Sequence, residues 1–198
     1  MTTVDELRAA LPEPASAWLT EASARVAVDA SALRTLFPGV GRRCGRGPLG
    51  IPEWTVDDAA RVLLLVAAPG VVDELPGLYR YGDAAEKRAV LRGLSFVDGS
   101  VFGLELVADA LRTNDTRLVT AAMGEYAAEH LDDSAYRHGV LKCVFMGIPL
   151  AAVAGLDRRA DDELVRMMRS FAAERAAAGR TVPADLVAFV PELSGEDS

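Results

Sequence analysis

Apolar residues return every three or four positions along nearly the whole chain, and no sustained stretch alternates apolar with polar residues as a half-buried strand does. The pattern predicts an all-α protein. Trp18, Leu19, Ala22, Val26 and Ala30 mark one side of a segment from Ala15 to Leu36, read as one long helix or as two short ones with a restart at Ser31. Between Pro38 and Pro52 the period lapses. Gly39, Gly41, Gly45, Gly47, Pro48 and Gly50 stand among Arg42, Arg43 and Arg46 there, which predicts a basic loop.

Thr55 with Asp58 reads as a capping box for a helix to about Ala68, and Pro69-Gly70 ends it. An irregular stretch is expected through Gly77. Asp83 with Glu86 then repeats the cap ahead of Val90, Leu91 and Leu94. A further helix is expected over Val101 to Arg112, and another from the Thr113-Asn114-Asp115-Thr116 turn to about Ala128. Asp132 and Asp133 open the next, which runs to about Met146. The last long helix starts at Asp161 or Asp162, aligns Leu164, Met168 and Phe171, and stops at Gly179. Short connections between helices of roughly 10–15 residues favour antiparallel neighbours, either a compact bundle or stacked HEAT-like hairpins, with the hairpins preferred.

The length of 198 residues suits one domain over residues 1–198. Hydrophobic residues at 51% and charged residues at 25% describe a chain that folds into a globule. A net charge of -8 argues against nucleic acid as a partner, because phosphates demand a basic surface. Cys44 and Cys143 lie far apart with no CxxC pair, so neither a metal site nor a disulfide framework is expected, and no cofactor is implied. The N-terminus has no basic start or apolar core of a secretory signal, and Val62 to Ala68 falls well short of the ~20 apolar residues of a membrane span. A cytoplasmic protein is expected.

Candidate chemistry is sparse. His138 and Lys142 stand four apart on one predicted helix, where a histidine beside a cation suits phosphate binding or proton transfer; a plain polar seam is the competing reading. Arg112 and Asn114 end another helix, where Asn114 is either a cap or part of the same recess. Arg42, Arg43 and Arg46 offer an anion site on flexible backbone, although the P-loop order is missing; an ordered linker pairing with surface acids is the alternative. Asp157, ahead of Arg158 and Arg159, is expected to hold a guanidinium or backbone amides. Tyr79, Tyr81, Met146, Met167 and Met168 read chiefly as packing residues.

The run His138-Gly-Val-Leu-Lys-Cys-Val-Phe-Met-Gly147, followed by Gly155-Leu-Asp-Arg-Arg159 and by Glu163-Leu-Val-Arg-Met, carries a resemblance. With Glu174-Arg175, Gly179-Arg180, Ala110-Leu-Arg-Thr-Asn-Asp115 and the Gly41-Arg-Arg loop ahead of Trp54, the chain resembles the EboA family of metabolite-traffic proteins. The resemblance implies a bacterial gene neighbourhood that also encodes a prenyltransferase and sugar-phosphate-type enzymes, and a part in making or moving a secondary metabolite. It implies no reaction. A non-enzymatic binding or adaptor protein is therefore expected, with a small phosphorylated or prenylated metabolite as ligand and pathway enzymes, including a membrane prenyltransferase, as partners. The alternative is an enzyme acting on such a molecule, with His138 as acid or base and Arg112 and Lys142 on the anion. A symmetric dimer stays open.

Overall fold

The computed structural model describes residues 2–97 and 102–190. These are helical almost throughout, as the apolar period predicts, and the described residues contain no β-strand, only an isolated bridge between Pro48 and Thr55. Two compact units divide after Ala110.

The first unit opens with α1 (Val4–Ala10), α2 (Glu13–Val28), α3 (Leu33–Leu36) and α4 (Val40–Arg43). A complete capping box at Thr3 and Glu6 starts α1. Ala15, Leu19, Ala22 and Val26 form the buried face of α2, which ends where Asp29 caps a new turn through Ser31. The restart thus falls within two residues of its expected place.

The expected loop after Pro38 is corrected: 3-10 turns at 30–32 and 37–39 join α3 and α4 into a nearly continuous helical run from Ala30 to Arg43. Leu33, Phe37 and Val40 explain it, because all three are fully buried at helical spacing. Pro38 sits in a first turn, where a missing amide costs nothing. Only residues 44–55 are a true loop, folded tightly by Leu49 N–H donating to Trp54 O and Val56 N–H donating to Gly47 O, each at 2.9 Å.

Next come α5 (Val56–Ala67), α6 (Leu75–Tyr81), α7 (Ala84–Gly93) and α8 (Gly103–Arg112); Val101, the expected start of the last, lies outside the described residues. Every residue of α5 from Val56 to Leu65 is buried, and α1, α2, α4 and α7 pack around it. Gly93 lets α7 close on α5, since a Cβ there would lie 2.6 Å from Leu65 Cδ1. The irregular stretch expected through Gly77 ends earlier: after a 3-10 turn at Val71–Asp73, α6 already begins at Leu75, with Pro76 in the first turn and Leu75, Leu78 and Tyr79 buried.

The second unit holds α9 (Thr116–Ala122), α10 (Glu125–His130), α11 (Asp133–Met146), α12 (Leu156–Arg159), α13 (Asp162–Ala177) and α14 (Ala184–Phe189). Gly124 breaks what was expected as one helix into α9 and α10, its extended ψ being incompatible with a helix. Asp132 caps α11 and Asp161 caps α13, while Gly147 and Gly179 take the left-handed conformation at their ends. The short α14 goes beyond the sequence reading. Packing of α11 against α9 and α13 is compatible with stacked hairpins.

Candidate binding clefts

The helical run from Ala30 to Arg43 sorts its side chains by period. Leu33, Phe37 and Val40 enter the core, and Thr35, Gly39, Arg42 and Arg43 share a different side. Against that side α2 presents Trp18 and Arg25, one helical turn apart twice over. A cleft of about 260 Å³ results, lined by Trp18, Arg25, Thr35, Leu36, Gly39, Arg42 and Arg43. The side chains of Arg25, Arg42 and Arg43 make no hydrogen bond or ion pair with any described residue.

Arg46, expected with them, is not at this cleft. Its guanidinium folds back onto the surface left bare by Gly41, 2.5 Å from where a Cβ would stand. Sequence reasoning missed Arg25 and Trp18, which a distant helix supplies. The signal was present in the i, i+4, i+7 spacing of Leu33, Phe37 and Val40, which predicts a helix and so fixes which residues share its outer side.

The buried charges of α5 are consumed internally. Arg61, fully buried on α5, donates from Nη1 to Asp57 Oδ2 at 2.7 Å and from Nε to Phe37 O at 3.2 Å, with the Phe37 ring beneath it. Arg88 Nε donates to Asp58 Oδ1 at 3.1 Å, and Arg92 Nε lies 3.8 Å from Asp58 Oδ2 while its guanidinium stacks 4.7 Å from the Trp54 ring. Thr55 is the N-cap of α5 as expected, accepting from Asp58 N–H at 3.4 Å, but the box is corrected: the Asp58 carboxylate turns inward to the arginines of α7 instead of back to the cap. Burial raises the Asp58 carboxyl above its ordinary value against the pull of Arg88 and Arg92, and lowers Arg92.

The expected recess of the second unit is only partly assembled. Lys142 Nζ donates to Asn114 Oδ1 at 3.1 Å, which joins two of its members across 28 positions of sequence. Asp115 rather than Asn114 caps α9. His138 is exposed one turn before Lys142, its Nδ1 2.7 Å from Ser134 O, and Arg112 is exposed at the end of α8.

The Gly155 turn is corrected as well. Asp157 is exposed and accepts no hydrogen bond from the described residues, whereas Arg158 reaches Glu125 and Arg159 reaches Asp133, the Ala127 and Ala128 carbonyls and the Tyr136 ring at 4.3 Å. Tyr79 is buried and donates to Asp109 Oδ2 at 3.1 Å, while Tyr81 is exposed. Met168 is core, with Met146 and Met167 at its margin. Both cysteines are free thiols, and burial pushes Cys143 up to about 12 and Cys44 up to about 11. Among the described residues no helix is long and apolar enough to cross a membrane.

The family model described as "Metabolite traffic protein EboA" matches residues 46–191. No curated protein and no solved structure matches the chain. Trp18, Arg25, Arg42 and Arg43 precede the matched span.

Proposed function

Because the chain belongs to the EboA family, we propose that it is a non-enzymatic binding protein that carries a small anionic metabolite, phosphorylated or diphosphorylated, and presents it to the enzymes of its pathway, including a membrane prenyltransferase. The observation that carries this reading is the set of three guanidiniums around the Trp18 cleft, none with a hydrogen bond or ion pair among the described residues, in a chain whose net charge is -8. Guanidiniums are the groups best matched to phosphate oxygens, since each offers paired N–H donors in one plane. The Trp18 ring adds a flat apolar wall for the body of the ligand, beside Thr35, whose hydroxyl already donates to Ala32 O at 3.1 Å. Lys142 is a weaker competitor because Asn114 already accepts from it.

Calorimetric titration of the full chain with pyrophosphate tests the reading. Saturable binding that weakens roughly tenfold or more in Arg42→Ala/Arg43→Ala, and falls with added salt, is expected. Loss through Arg46→Ala should be smaller. Pyrophosphate affinity unchanged in the double variant, or no binding to the natural chain, refutes it.

A further inference from the structure

The next strip of the same helical run faces the opposite chemistry. Arg34 and Pro38, with α6 and the start of α7, enclose a cavity of about 390 Å³, within the size range of small-molecule sites. Its charged groups are Asp73, Glu74 and Glu86 against the single Arg34. Arg34 and Glu74 satisfy each other through two hydrogen bonds of 2.8 and 2.9 Å, so the cation is already neutralised.

Glu86 is different. It is only 9% exposed and lines the cavity, and among the described residues no side chain donates a hydrogen bond to its carboxylate, which has the Asp83 N–H as donor. Burial and the Asp83 carboxylate raise its pKa above the ordinary value, and the Arg61 and Arg46 guanidiniums and the Asp83 N–H only partly oppose them. The remaining wall is apolar: Leu78 and Pro38 beside the ring of Tyr81, which is 83% exposed at the lip. Gly77 leaves room there, since a Cβ would meet nothing within 4 Å.

We propose that this cavity binds a small organic amine, with its ammonium on the Glu86 carboxylate and its apolar body among Leu78, Pro38 and Tyr81. An incoming ammonium supplies the opposite charge to a carboxylate whose hydrogen bond comes from the Asp83 N–H alone, and the acidic surplus of the walls selects against anions. The Tyr81 ring adds apolar surface to the wall, with the Arg80 guanidinium 5.8 Å from its centroid. The site is independent of the Trp18 cleft. Arg42→Ala/Arg43→Ala therefore leaves amine affinity unchanged whether or not pyrophosphate binds.

Titrations with benzylamine, benzyl alcohol and benzoate decide. Benzylamine is expected to bind saturably, with the alcohol and benzoate each at least roughly tenfold weaker. Glu86→Gln should weaken benzylamine by a similar factor while melting cooperatively and no lower than the natural chain. Gly77→Leu fills the cavity from α6 without touching the carboxylate and should abolish binding while keeping or raising stability. Benzylamine failing to saturate, the alcohol or benzoate matching it, or full affinity in either variant overturns the proposal.

Discussion

The two units treat charge in opposite ways. In the first, Asp57, Asp58 and Arg61 are essentially inaccessible inside the α5 and α7 packing. In the second, ion pairs such as Arg166 with Glu163 and Arg158 with Glu125 lie at the surface, each partner at least 29% exposed. Water competes for the surface pairs, so they contribute little; a buried pair depends on both members, because the survivor of a deletion is left desolvated. The first unit has thus locked its inner charges into structure. Among the described residues the Arg25, Arg42 and Arg43 guanidiniums stay outside that network, on α2 and on the outer side of the Ala30 to Arg43 run, and are available to a ligand.

Breaking the inner network should give the largest effect. Asp58→Ala strands Arg88 and Arg92 and is expected to cost about 3–5 kcal/mol in urea unfolding. A cost near that of a surface substitution would erase the contrast between the units. Replacing both members of the other pair, Asp57→Leu with Arg61→Met, should come within about 1 kcal/mol of the natural chain even though Asp57→Ala alone is severe. The same unfolding experiment would contradict the pairing if the double variant were the worse of the two.

Arg159 is the second unit's nearest approach to a buried cation, and Arg159→Ala should cost about 1–2 kcal/mol through its lost carbonyl hydrogen bonds and Tyr136 stacking. Glu86 gives a smaller, pH-dependent effect. Its pKa is raised on folding, so its favourable contribution is complete below the unfolded value and is lost as pH rises through the folded one, with Asp83, Arg61 and Arg46 as the neighbouring charges. Glu86→Gln should accordingly match the natural chain near about pH 4 and exceed it near about pH 7; the reverse trend would mean the carboxylate is well paired. Least of all, Glu163→Ala should leave the melting temperature unchanged within error.

Much of this architecture is legible in the sequence because helix boundaries are local. Asp83, Asp132 and Asp161 accept from first-turn amides where the pattern places caps, and Gly147 and Gly179 end helices by left-handed turns. Reading fails where Pro and Gly stand inside helices. Pro38-Gly39 and Pro76-Gly77 look like breaks, yet each proline falls in a first turn and the adjacent apolar residues bury enough surface to hold the helix.

The cleft residues divide along the same line. Arg42 and Arg43 are conspicuous by composition, but Arg25 and Trp18 join them only through the packing of α2. Glu86 looks like half of a capping box, and nothing local signals that its carboxylate faces a cavity. Asp58 resembles it, since its partners stand 30 or more positions away on α7.

The claim that the Trp18 cleft receives the anionic group of the ligand is tested most directly by a crystal structure grown with pyrophosphate. The anion is expected among the Arg25, Arg42 and Arg43 guanidiniums, beside the Trp18 ring. Pyrophosphate seated instead on His138 and Lys142, or missing from the arginine cleft at saturating concentration, would contradict it.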